Sequence, residues 1–106
     1  MSAEIGGGSR RPAVPDGVAV VVRHDGEIGL QGLRTALSLA LGDRPPALFL
    51  LGPALALLDA APGSEAGECV RTLTAELGVR LWAEGRDGDR AALLREAAGP
   101  SLAQVF

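Results

Sequence analysis

Apolar and polar positions fall along this chain in blocks whose rhythm switches between strand and helix. Val18-Ala19-Val20-Val21-Val22 is β-branched and has no polar break. Such a run predicts a strand covered on both faces, as in parallel sheets flanked by helices. From about Ile28 to Leu41 the period lengthens. Leu30, Leu33, Leu37 and Leu41 share one stripe while Gln31, Arg34, Thr35 and Ser38 point elsewhere, which predicts an amphipathic helix. Asp25 or Gly26 suits its start, Glu27 complements the positive end of the dipole, and Gly42 suits its end. Asp43-Arg44-Pro45-Pro46 prevents its continuation.

Ala47-Leu48-Phe49-Leu50-Leu51 predicts a second buried strand, closed by Gly52. Pro53 is placed as the first residue of a short helix to about Ala60, broken by Ala61-Pro62-Gly63-Ser64. A further helix is expected from about Glu65 to Leu77, with Val70, Leu73 and Leu77 inward. Val79 to Ala83 alternates: Val79, Leu81 and Ala83 share one face, Arg80 and Trp82 the other. That pattern predicts a less protected strand than the first. Asp87 or Asp89 caps a last helix with Leu93, Leu94 and Ala97 inward and Gly99-Pro100 as its stop. Ser101 to Phe106 forms a short fourth strand or a docked tail.

Strands alternating with helices imply parallel crossovers and an α/β fold. The simplest closed solution is a flavodoxin-like three-layer sandwich, its mostly parallel sheet of about four strands ordered 2-1-3-4. Ligands gather at the carboxyl ends of such strands. Here that edge carries Arg23 to Gly29, Gly52-Pro53 and Glu84 to Gly88, with His24, Asp25, Gly26, Gly52 and Glu84 as the candidate binding residues. Residues Met1 to Gly17, with Gly6-Gly7-Gly8, Arg10-Arg11, Pro12 and Pro15, read as a flexible lead. Residues 18–106 then form a single domain.

Composition narrows the function. The chain has 106 residues, a net charge of −3 and 47% apolar residues, enough for one core. No basic stripe marks a nucleic-acid face. All ten basic residues are Arg and Lys, Asn and Tyr are absent, a bias that GC-rich coding explains. One cysteine, Cys69, excludes an internal disulfide and a zinc site of several thiolates, and with one histidine, His24, a transition-metal site would need carboxylates for nearly every ligand, so no metal is expected. The longest apolar run, Ala47 to Leu58, is too short to span a bilayer and is broken by Gly52-Pro53. With no signal-peptide pattern at the N-terminus, the expected location is cytoplasmic, with no membrane partner and no cofactor.

The first strand, the helix Gly32-Leu33-Arg34-Thr35-Ala36-Leu37-Ser38-Leu39-Ala40 and the stretch Ala47-Leu48-Phe49-Leu50-Leu51-Gly52 together resemble the opening of DsrE/DsrF-like proteins. Glu76-Leu77-Gly78-Val79-Arg80-Leu81-Trp82 is similar to that family's helix-Gly-Val-strand passage, and the likeness spans about Val18 to Arg86. The resemblance implies a small sulfur-relay subunit that assembles with copies of itself or with related DsrE-like subunits, with a sulfur-donor protein as a further partner. Carrier subunits hold a persulfide on a cysteine at the end of the third strand. Alignment on Gly78-Val79 places that position at about Glu84, where this chain has no thiol. On that resemblance it is closer to companion subunits that complete an assembly, or to stand-alone members of the family.

Cys69 is the one candidate thiol nucleophile, a displaced persulfide carrier if it acts as a catalytic residue. A helix first turn near the carboxyl edge would lower its pKa, whereas Glu65 and Glu68 disfavour the thiolate, and Val70 and Leu73 mark the same face as core. His24 suits a general base or an anion contact, and equally an exposed loop; Asp25 doubles as a helix cap. Gly26, Gly29 and Gly32 give G-x-x-G-x-x-G, which is neither the dinucleotide fingerprint nor a P-loop, and Asp25 and Glu27 repel phosphate. Arg80 and Trp82 suit a subunit interface, while packing under the last helix explains the same pattern. The expected function is a binding or scaffold subunit. The alternatives are a sulfurtransferase using Cys69 and a small flavodoxin-like binder of anions or nucleotides.

Overall fold

The computed structural model describes residues 17–98 and 102–106. Strand β1 (Val18–Val22) leads into helix α1 (Gly26–Leu41) and strand β2 (Ala47–Leu50). A 3-10 helix (Gly52–Asp59), helix α2 (Glu65–Arg71) and a π-helical turn (Thr72–Glu76) precede strand β3 (Leu81–Ala83). Helix α3 (Arg90–Ala97) and strand β4 (Leu102–Val105) complete the order. The expected lead, Gly17 apart, and the Gly99-Pro100 stop lie outside the described residues.

All four strands pair in parallel, with Val20 opposite Leu48 and Gln104, and Phe49 opposite Trp82. The α/β class and the layers of a flavodoxin-like layout are present. The strand order corrects the expected 2-1-3-4: it is β3-β2-β1-β4. Strand composition explains the difference. β2 is buried at all four of its positions, which requires a neighbour on each side. β3 has three residues, two of them only half-buried, which an edge tolerates.

The two faces are covered unequally. Val20, Val22, Leu48 and Leu50 pack against Leu33 and Ala36 of α1, Ala54 and Leu57 of the 3-10 helix, and Cys69 and Leu73. Ala19, Val21, Phe49 and Leu51 face Leu93 and Ala97 of α3. The chain thus steps from β1 to β2 to β3 beneath α1 and α2. It then crosses through α3 and returns beside β1. The direction of winding reverses between β1 and β4, the topological switch point of such a sheet.

Several helix expectations need adjustment. Leu41 is 67% exposed, not part of the buried stripe, and Ala36 is buried in its place. With 16 residues α1 is about 24 Å long, whereas the 5-residue β1 spans about 17 Å. Its last turn therefore outruns the sheet. Leu94 is 42% exposed, because the short α3 turns only Leu93 and Ala97 toward the strands. The helix expected through Leu77 is α-helical only to Arg71. Thr74 Oγ1 bonds the Val70 carbonyl at 2.8 Å, and the turn then widens so that Leu77 N–H reaches Thr72 O at 2.9 Å.

Two close approaches fix how α1 sits on β1. A Cβ at Gly29 would collide with the His24 carbonyl oxygen, and one at Gly32 would lie 2.7 Å from Val22 Cγ2 and 3.2 Å from Phe106. Arg34 ties α1 to α2 through a two-pronged contact with Glu65 at 2.7 and 2.8 Å. Ser64 caps α2 by accepting the Gly67 N–H, and Asp89 caps α3 by accepting the Ala92 N–H.

Candidate functional site

At the carboxyl edge the strands hand over to loops, and two of the candidate residues meet there. Two residues after β2 comes Gly52, whose φ of +54° is a left-handed conformation that glycine adopts without penalty. Its N–H donates to Glu84 Oε1 at 2.8 Å. Glu84 follows β3 directly, and its own N–H donates to Leu50 O at 3.0 Å. The same carboxylate oxygen is 3.4 Å from Arg90, the first residue of α3. The Arg90 guanidinium lies where a Gly52 side chain would begin, 2.6 Å from that position. Gly52, Glu84 and Arg90 thus join the ends of β2 and β3 to the start of α3.

His24 and Asp25 stand apart from that group. β2 lies between β1 and β3, so their loop is two strand spacings, about 10 Å, from Glu84. With β2 between them, the ends of β1 and β3 are not neighbours in the sheet, so the His24–Asp25 loop does not adjoin Glu84 through a shared strand pair. Both side chains are exposed and have no hydrogen-bond or ion-pair partner among the described residues. Asp25 occupies the N-cap position of α1 in extended backbone, but its side chain makes no capping bond. Gly26, at φ +63°, begins the helix.

The outer side of β3 is closed by its own turn. Asp87 Oδ2 accepts the Ala83 N–H at 2.8 Å, while Arg86 donates to Leu81 O at 3.0 Å and pairs with Asp87 at 2.9 Å. The Ala83 N–H bond, followed by Arg86, holds the Asp87 carboxyl below its ordinary value. Asp89, not Asp87, caps the helix; Asp87 caps the strand edge. On the inner face Trp82 stacks on Phe49, with ring centroids 5.7 Å apart, and the Arg80 guanidinium carbon lies 4.7 Å from the Trp82 ring centre. Trp82 Nε1 is buried with no hydrogen-bond partner among the described residues. Trp82 is thus half-buried on the β2–β3 face toward α3, with the exposed Arg80 beside it.

Cys69 is 7% exposed and sits just past the first turn of α2, in the core beside Leu73. Burial pushes its thiol pKa up, Glu65 adds to the rise, and Arg34 opposes it. The lowered pKa that a helix first turn would give is therefore not what this environment produces. Sequence reasoning missed Arg86 and Arg90. Arg90 carried a signal: a cation at the first position of a helix opposes the dipole, so it calls for a carboxylate nearby.

Chemically, the carboxyl edge offers one carboxylate committed to a backbone N–H and an arginine, and one exposed imidazole on a loop two strands away. That arrangement binds and braces more readily than it transfers protons between partners. Among the described residues no helix is long and apolar enough to cross a membrane. No protein-family model, curated protein or solved structure matches the chain.

Proposed function

We propose that this chain is a binding or scaffold subunit of an oligomeric assembly, of the kind its resemblance to DsrE-like sulfur-relay proteins suggests. The carrying observation is the state of the carrier position. Glu84 stands at the end of β3, and its carboxylate is engaged by Gly52 and Arg90. The one thiol, Cys69, lies in the core with its pKa raised, an environment that disfavours thiolate nucleophilicity. Mass spectrometry under native and denaturing conditions, after incubation with a persulfide donor, tests the proposal. A defined oligomer that gains no sulfur supports it. A sulfur gain that Cys69→Ser abolishes overturns it in favour of the sulfurtransferase alternative.

A second reading, an anion or nucleotide binder, is favoured by one observation. The β1–β4 switch point places the start of α1 where such sheets bind ligands, and no side chain caps that helix. Asp25 and Glu27 oppose it by their charge. Thermal shifts with inorganic phosphate and nucleotides decide the matter: a shift that His24→Ala removes supports this reading, and none across the panel rejects it.

A further inference from the structure

The two edges of the sheet are built differently. On β3 the outward Leu81 carbonyl and both outward backbone groups of Ala83 are taken by Arg86 and Asp87. On β4 the alternation runs as follows: Phe106 N–H donates to Val21 O and Phe106 O accepts the Arg23 N–H, both at 2.7 Å. Gln104 therefore also points its backbone toward β1, and Ala103 and Val105 point theirs outward. Among the described residues no strand lies beyond β4. Val105 is 54% exposed and Ala103 is exposed. Leu102–Val105 contains no charge and no proline, two of the usual guards of a free edge.

We propose that β4 pairs antiparallel with β4 of a second copy of this chain, joining two sheets across a two-fold axis. The proposal rests on the oligomeric reading above and names the contact. The register follows from which groups face outward. Ala103 pairs with the partner's Val105 and Val105 with the partner's Ala103, giving four ladder bonds with Gln104 on the axis. At a two-fold contact each residue near the axis meets its own kind, so a charged edge would repel itself. β4 has none, although the chain carries a net charge of −3. Gln104 is the one polar side chain in the strand, and an amide is both donor and acceptor, able to bond its own copy. Across the α3-side face, small Ala103 lies opposite larger Val105, a pairing that fills the space without a clash.

Sedimentation of the full chain at micromolar concentration, with amide hydrogen exchange at Ala103 and Val105, tests this contact. The wild type is expected to be dimeric or a multiple of dimers, with both amides slow to exchange. Ala103→Pro removes one outward N–H from each copy and leaves the bonds to β1 untouched. It should raise the dimer dissociation constant at least about tenfold while thermal stability at low concentration is kept. Gln104→Glu places two carboxylates on the axis. It should weaken the dimer at neutral pH and restore it as the pH falls below about 4. A strict monomer overturns both this contact and the oligomeric reading. An oligomer that survives both substitutions overturns the contact alone.

Discussion

Glu84 Oε1 accepts the backbone N–H of Gly52 at 2.8 Å across 32 residues of sequence, so the residue that ends β3 fastens the turn that leaves β2. The bond is part-buried, and its loss leaves a donor without an acceptor and Arg90 without its carboxylate. Glu84→Ala is expected to destabilise by about 1–3 kcal/mol, and Glu84→Gln, which keeps an accepting oxygen, by less. Urea unfolding of both variants checks the order; equal losses would show that charge, not the bond to Gly52, is what matters.

Gly29 and Gly63 should respond in opposite ways to the same substitution. A Cβ at Gly29 meets the His24 carbonyl oxygen, which belongs to the backbone and cannot swing aside, whereas Gly63 has open space around it. Gly29→Ala is expected to cost about 1–3 kcal/mol. Gly63→Ala should be neutral or stabilising by up to about 1 kcal/mol, because it restricts the unfolded chain. Thermal unfolding of the pair settles it, and a tolerated Gly29→Ala would mean that α1 shifts freely on β1.

Cys69 should resist alkylation while the protein is folded. Burial and the nearby Glu65 raise its pKa, which reduces both access and thiolate fraction. Labelling by iodoacetamide at neutral pH is expected to run at least about tenfold slower in buffer than in denaturing urea. Comparable rates in the two conditions would contradict the core placement.

Asp87 gives the stability a definite acid dependence. Its folded pKa lies below its ordinary value of 3.8, so its contribution is complete above that value and is lost as the pH falls through the folded one. The stability gap between wild type and Asp87→Asn should therefore hold at neutral pH and shrink below about pH 4. Paired unfolding curves at about pH 7 and about pH 3 measure the gap. A gap independent of pH would detach Asp87 from the β3 edge.

Much of the fold is legible in the sequence because local rules decide it. The unbroken Val18–Val22 run, the apolar Ala47–Leu50 segment and the alternation of Leu81, Trp82 and Ala83 yield strands with the expected faces. What local rules leave open is which strand neighbours which. The strand order turns on the burial of both faces of β2 and on α3 crossing to the opposite layer, and these are relations between distant segments. The same gap explains the site. Gly52 and Glu84 each mark a strand end in the sequence, but their meeting requires β2 beside β3. His24 is separated from Glu84 by that same adjacency. Arg86 is hidden for a different reason: in sequence it is one more charged loop residue, and only the exposed carbonyl of Leu81 gives it a task.

The closure of β3 by Arg86 and Asp87 also bears on how large any edge-to-edge structure can grow. A sheet with two open sides can add copies without limit and become a fibre, whereas among the described residues the Leu81 carbonyl and the Ala83 N–H of the β3 edge are already bonded within the chain. Asp87 and Arg86 thus occupy groups that strand addition at β3 would need. Acid that protonates the carboxylate, or a substitution that removes it, would give the molecule a second sticky end.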